Sequence, residues 1–312
     1  MREGTIVAVF PGQGSQKMGM ARDFYDTAPQ ARAVFAEVSE ALGLDMTGLC
    51  FSADDRLHLT AYTQPAILTA EIAIFRTLVA EIGLTIDVFG GHSLGEYAAL
   101  VAAGVIPLAE AARLVRQRGE HMQQAVSVGA GAMLAVTGPD LNLAAITGAI
   151  SGLTVDLANL NSPQQVVLSG TADGITTAEG VLRETLPGTR LTRLTVSAPF
   201  HSRLMAPIEP GFRALLTASA PTWDLTGAGR VLSNFTGGFY PSDDVGAVID
   251  GLTRQISGAV RWVDNMTAIT RTTPTAVYEI GPRRPLRGFF RALGLSVTAI
   301  TNRTTARRAF TA

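Results

Sequence analysis

The sequence predicts an α/β fold, a parallel-sheet subdomain interrupted by a small α+β insertion, on three observations. Strands alternate with helices at both ends of the chain, the pattern of a parallel sheet with helical crossovers. Between residues 129 and 198 the order becomes β-α-β-β-α-β, the split motif of ferredoxin-like domains. A serine flanked by small residues stands between a strand and a helix at 91–95. The 312 residues suit one large domain or two ordinary ones at the rough prior of ~150 residues per domain. Apolar residues make up 47% and charged residues 16%, which favours a packed core over a disordered chain.

The β-branched run up to Phe10 is a buried strand, and Pro11-Gly12-Gln13-Gly14-Ser15 is the glycine-rich turn that ends it. Ile67, Leu68, Ile72, Phe75, Leu78 and Val79 recur at three- and four-residue spacings, which predicts a helix over 64–82. Residues 86–90 are a short strand and 94–103 an alanine-rich helix. Pro107 sits where a first helical turn tolerates proline, opening a helix to about Val126. In the insertion, strands are expected at 132–136, 153–160, 165–168 and 190–196, with helices at 141–150 and 175–186. Alternation then resumes, with strands at 231–235, 277–280 and 297–301 and helices at 244–256, 262–269 and 285–293. Residues 1–128 and 199–312 therefore make the large subdomain and 129–198 the insertion. No internal repeat, charge block or low-complexity tail stands out.

Composition excludes several classes of function. Lys+Arg is 25 and Asp+Glu 26, so no net charge marks a nucleic-acid or anionic-membrane binder. Lys17 is the only lysine. The single cysteine, Cys50, rules out an intramolecular disulfide and a four-thiolate zinc site. Met1-Arg2-Glu3-Gly4 runs straight into the first strand, too early for a signal peptide. The uncharged run at 97–109 is broken by Gly104 and Pro107 and falls short of the ~18 residues of a spanning helix. A cytoplasmic monomer without metal or redox cofactor is expected.

Gly91-His92-Ser93-Leu94-Gly95 lies in the strand–turn–helix setting of a nucleophile elbow. The following helix aims free N–H groups at the serine and favours a developing oxyanion. Ser93 needs a base, and the chain has four histidines. His92 adjoins the serine and points away, His58 sits in a polar loop, and His121 lies ambiguously on a helix. His201, in Ser197-Ala198-Pro199-Phe200-His201-Ser202, stands where the insertion returns to the main subdomain, so a cleft is expected there. No orienting acid is evident, which leaves a backbone or amide acceptor. Arg118 falls on the apolar stripe of Leu114, Val115 and Met122, so it must find an anion, either a protein carboxylate or a substrate carboxylate. Arg113 and Arg116 are expected to pair with Glu110 and Glu120. Gln255 also faces inward, and Gln13 ends the first strand.

These residues resemble the malonyl-CoA:acyl carrier protein transacylases. Phe10-Pro11-Gly12-Gln13-Gly14-Ser15-Gln16, Gly91-His92-Ser93-Leu94-Gly95-Glu96-Tyr97, Gln117-Arg118-Gly119 and Phe200-His201-Ser202 follow that family in order and spacing. So do Asn159-Leu160-Asn161-Ser162-Pro163, Ser233-Asn234-Phe235-Thr236-Gly237, Gln255-Ile256-Ser257 and Glu279-Ile280-Gly281-Pro282. The resemblance implies a hydrolase-like large subdomain. It implies Ser93 as acylated nucleophile and His201 as base, oriented by a backbone carbonyl near Gln255. It further implies an oxyanion hole of the Gln13 and Leu94 N–H groups, with Arg118, Phe200, Gln255 and Asn161 as substrate-binding residues. Phe200 and Leu94 stand as in malonyl-selective relatives. A departure is Gly281-Pro282-Arg283-Arg284-Pro285, where the family usually has glycine followed by lysine or asparagine. The implied substrates are malonyl-CoA and a phosphopantetheinyl acyl carrier protein, in fatty acid or polyketide synthesis. The alternatives are a stand-alone polyketide-synthase acyltransferase using another acyl group or an acyl-carrier donor, an editing thioester hydrolase, and a non-catalytic carrier-docking protein.

Overall fold

The computed structural model describes residues 4–127 and 129–310. The expected boundary residue 128 and the leading residues 1–3 lie outside the described residues. β1 (Thr5–Phe10) leads to α1 (Arg22–Thr27), α2 (Pro29–Leu42), α3 (Met46–Phe51) and α4 (Thr60–Ile82). β2 (Val88–Gly91), α5 (Gly95–Ala102) and α6 (Leu108–Gln124) follow. Next come β3 (Gly131–Thr137), α7 (Leu143–Ala149), β4 (Val155–Ser162), β5 (Gln165–Thr171), α8 (Ala172–Thr185) and β6 (Arg190–Arg193). The chain closes with α9 (Glu209–Ser219), α10 (Val245–Arg254), α11 (Trp262–Arg271), β7 (Pro274–Ile280), α12 (Leu286–Arg291), β8 (Thr298–Ile300) and α13 (Arg303–Phe310).

Two four-stranded sheets organise these elements. The first, β2-β1-β7-β8, pairs only in parallel. Val7 and Val9 of β1 pack with Trp262, Met266 and Ile269 on one face, and Ala8 and Phe10 pack into the larger core on the other. Burial on both faces explains why β1 reads as an unbroken apolar run. The second sheet, β4-β5-β3-β6, pairs only antiparallel. In that sheet's own numbering the order is 2-3-1-4, the ferredoxin-like arrangement expected from the order of its elements. Its core of Leu134, Val136, Ile146, Val155, Val166, Leu168 and Ile175 is separate from the others.

Two expectations change. Residues 231–235 make no strand: Val231 bridges Phe89 and Leu232 bridges Phe239, and the chain then turns. The helices over 22–51, α9 and α13 carry no counterpart in the sequence reading. Cys50 belongs to α3 and is fully buried, which pushes its thiol up to about 12.

The packing of α4 on α6 positions the site. Seventeen of the 23 residues of α4 are buried, so it is a central helix with no broad wet face. Pro65 has no N–H to give the Ala61 carbonyl, and Arg116 Nη1 bonds that oxygen instead at 3.1 Å. At Gly119 a Cβ would meet the Thr60 carbonyl oxygen at 2.7 Å. The two backbones are therefore close enough to bring Gln64 and Arg118 side by side.

Candidate active site

Ser93 follows β2 and opens the turn into α5, with φ of 53°. A left-handed non-glycine residue is uncommon and strained. The turn closes because its flanks are glycines. A Cβ at Gly91 would lie 1.9 Å from the Gly95 carbonyl oxygen, and one at Gly95 would lie 2.1 Å from that of Phe10. Asn234 holds the elbow: its Oδ1 accepts the Ser93 N–H at 2.6 Å, and its Nδ2 donates to the Gly91 carbonyl at 2.7 Å. Asn265 of α11 accepts from the same Nδ2 at 2.9 Å.

His201 is buried and also left-handed, with φ of 58°. Its Nε2 lies 2.8 Å from Ser93 Oγ, and its Nδ1 lies 2.7 Å from the Gln255 carbonyl oxygen. That carbonyl only accepts, so Nδ1 carries the proton and Nε2 is free to take one. Gln255 is the residue after α10, where helix carbonyls lack intrahelical partners. A backbone carbonyl thus stands at Nδ1, where the sequence showed no acid. Burial, then the nearby charge of Arg118, lowers His201 to about 3, so the imidazole is neutral at physiological pH.

Arg118 is buried on the inward stripe of α6, as expected. Its Nη1 donates to Gln64 Oε1 at 2.9 Å, and its Nη2 to Gln255 Oε1 at 2.8 Å and Ser93 Oγ at 3.2 Å. Its Nε has no hydrogen-bond partner among the described residues. Of the two anions the sequence left open, the protein carboxylate is not found: Arg118 forms no ion pair among the described residues, whereas Arg113 and Arg116 pair with Glu110 and Glu120. Gln255 is a hub. Besides receiving His201 and Arg118, its Nε2 donates to the Ser93 carbonyl at 2.9 Å and to Glu96 Oε2 at 2.5 Å.

A cleft of about 890 Å³ opens over Ser93 between the two sheets. Gln13, Arg118, Phe200 and His201 line it from the large subdomain, and Met133, Asn161 and Val167 from the small sheet. A Cβ at Gly12 would meet the His92 carbonyl oxygen at 2.4 Å, so the turn bearing Gln13 lies directly against the elbow. Neither the Gln13 nor the Leu94 N–H donates to another described residue. His92 points away from Oγ, as expected. Its Nε2 lies 2.7 Å from Asn161 Oδ1, and its ring packs edge-on to Trp262. Asn161 Nδ2 donates to Gln165, so this amide is engaged at both ends and ties β4 to the elbow. His58 lies at the cleft wall and His121 against Phe212.

Gln64, Asn234, Glu96 and Tyr240 were not singled out as site residues by sequence reasoning. Gln64 and Glu96 are polar residues on helices buried nearly all round, a signal that could have flagged them. Asn234 and Tyr240 lie outside helices and strands, where no periodicity betrays them.

Charge is nonetheless unevenly distributed along the chain. Residues 282–312 hold seven arginines and no carboxylate, leaving 18 basic against 26 acidic residues elsewhere. Spacing along the chain and a near-zero total hide this asymmetry. Arg283, Arg284, Arg287 and Arg308 line a depression of about 690 Å³. None of the four forms an ion pair among the described residues. The same turn shows Pro285, Leu286 and Phe289 to the cleft. Glu279 fixes it by accepting the Leu286 and Arg287 N–H groups at 2.9 and 2.8 Å. Among the described residues, no helix is long and apolar enough to cross a membrane and no cluster of three metal-ligating side chains occurs.

The family model for the acyl transferase domain matches residues 7–230. The malonyl CoA-acyl carrier protein transacylase of Bacillus subtilis (strain 168) is 37% identical over 300 residues, 95% of this chain and 92% of that protein. That of Escherichia coli (strain K12) is 37% identical over 297 residues, 93% of each. A malonyl-transacylase solved with its type II PKS acyl-carrier protein superposes with a TM-score of 0.91. It is 34% identical and covers 98% of this chain and 99% of its own. Matched by that model over most of its length and by these relatives over nearly all of it, the chain belongs to the malonyl CoA-acyl carrier protein transacylases of the acyl transferase family.

Proposed function

We infer that this chain transfers a malonyl group from CoA to the phosphopantetheine thiol of an acyl carrier protein, in fatty acid or polyketide synthesis, through an ester on Ser93. The observation that carries this reading is Arg118, a buried cation with no ion-pair partner among the described residues, 3.2 Å from the nucleophile. A buried charge needs a counter-charge. A malonyl carboxylate, gripped by the planar guanidinium, supplies one in direct contact.

His201 Nε2 removes the Ser93 proton as Oγ attacks the thioester carbonyl. The Gln13 and Leu94 N–H groups receive the oxyanion, and CoA leaves as the thiol with the proton from His201. The carrier's thiol then attacks the ester, with His201 again as base. The substrate carboxylate offsets the Arg118 charge that depresses His201, so a carboxylated acyl group also strengthens its own base. Phe200 bounds the acyl site. The carrier's arm must enter by the cleft, so its body rests on the rim, where Arg283, Arg284 and Arg287 offer unpaired charge to an acidic surface.

The test is intact-mass spectrometry after mixing with malonyl-CoA or acetyl-CoA. Wild-type protein gains the malonyl mass. Ser93→Ala gains none and melts near the wild-type temperature. An acyl mass on Ser93→Ala removes Ser93 from this role.

A further inference from the structure

Glu96 is a fully buried carboxylate that the acyl-transfer steps do not use. It lies in the first turn of α5, three residues after Ser93. One oxygen accepts the Tyr240 hydroxyl. The other accepts the Asn234 N–H at 3.2 Å and Gln255 Nε2 at 2.5 Å. The far side of that same Gln255 amide accepts Arg118 Nη2 at 2.8 Å. The amide thus stands between a buried anion and a buried cation, its N–H₂ toward one and its oxygen toward the other. Reversed, it would set donor against donor at Arg118 and oxygen against oxygen at Glu96.

We propose that Glu96 is the resting counter-charge of Arg118, relayed through the Gln255 amide, and that loading a carboxylated acyl group onto Ser93 makes Glu96 take up a proton. This rests on the malonyl reading above. The free site holds one cation and one anion and is balanced. A malonyl ester adds a second anion to the same dry pocket, and two carboxylates sharing one guanidinium cannot both stay charged cheaply. The malonyl group touches the guanidinium directly, so Glu96 yields. The balance is free enzyme plus malonyl-CoA plus one solvent proton giving malonyl-enzyme with neutral Glu96 plus CoA thiol. An acetyl group brings no charge and takes up no proton at Glu96.

Among the described residues, the charged or titratable groups facing Glu96 are Arg118 on α6, Tyr240 on the 238–241 segment and Tyr97 on its own helix. Both tyrosines are shifted upward by burial and stay neutral. Burial raises Glu96 to about 7, against the hydrogen bonds and Arg118 that lower it. The free enzyme therefore loses this proton as pH rises past about 7, and the malonyl-enzyme keeps it to higher pH. Proton uptake opposes loading with rising pH, by at most about tenfold per pH unit for one proton.

The experiment measures the equilibrium fraction of acyl-enzyme by intact mass, with malonyl-CoA and acetyl-CoA, from pH 6 to 9. Their ratio cancels the ionisation of the CoA thiol common to both. In wild type, the malonyl-to-acetyl ratio of loading constants should be flat below about pH 7 and fall above it. In Glu96→Gln the ratio should be flat throughout. Its amide oxygen can still accept from Gln255 and Asn234, and its N–H₂ can face Tyr240. Tyr240→Phe removes a bond that favours the charged form, so the fall should begin at higher pH. A flat wild-type ratio, or the wild-type slope retained in Glu96→Gln, overturns the proposal. If Glu96→Gln does not fold, an unshifted profile in Tyr240→Phe overturns it. Failure of wild type to acquire any acyl mass would instead sink the functional reading.

Discussion

Two sets of arginines lack carboxylate partners among the described residues, and they differ in burial. Arg118 is sealed among Gln64, Gln255 and Ser93, its fork held by side-chain oxygens that bear no charge. Arg283, Arg284, Arg287 and Arg308 are exposed around an open depression on the other side of the turn that shows Phe289 to the cleft. In a low-dielectric pocket one charge discriminates strongly, because whatever fails to match it leaves it bare. In water each charge is screened, so several together set an attraction with little selectivity. The inner arginine is thus suited to choosing the acyl group and the outer ones to gathering the acyl carrier.

The sharpest way to break this comparison is Arg118→Ala. Malonyl transfer should fall by the ~2–5 kcal/mol of a broken buried charge pair, roughly 30-fold to several thousand-fold in kcat/KM. Acetyl transfer should fall far less. Glu96, deprived of its counter-charge, protonates, so stability drops only by the ~1–3 kcal/mol of the stranded amides. An equal loss for both substrates with a large fall in Tm would place Arg118 in the scaffold.

The outer set is tested by Arg284→Glu with Arg287→Glu. Malonyl loading from CoA should stay near wild type, while kcat/KM for the carrier falls roughly tenfold at low salt. The loss should shrink as ionic strength passes ~0.15 M. A salt-independent loss would mean that the turn, and not its charge, had been damaged. The smallest effect is expected at Arg116, neighbour of Arg118 on α6 but fully engaged by Glu120, the Ala61 carbonyl and the Tyr62 ring. Arg116→Ala should cost about 1–2 kcal/mol in thermal unfolding and leave the choice between malonyl and acetyl untouched.

The legibility of these features in the sequence follows from how local their causes are. The elbow was readable because glycines at 91 and 95 and the strand–helix setting are contiguous. Arg118 and Gln255 were readable because helical periodicity reports which way a side chain faces. The small subdomain was readable from the order of its strands and helices. What escaped depends on distant contacts. Asn234 holds the Ser93 N–H from 141 residues away. The Tyr240 hydroxyl meets Glu96 across 144. The helices α1 and α3 escape sequence reading because six residues carry less than two turns of pattern.

Cys50 gives the fold a further property. This chemistry runs on thioesters and free thiols, and any accessible thiolate in the protein would compete for the acyl group or form mixed disulfides with pantetheine. The only sulfhydryl is buried in α3 with its ionisation pushed up to about 12. At neutral pH it is neither nucleophile nor reductant, since the thiolate is the reactive form. The protein's own thiol is thus silent toward the substrates, and the thiols a colorimetric reagent detects during turnover of the folded enzyme are those of CoA and of the carrier's pantetheine.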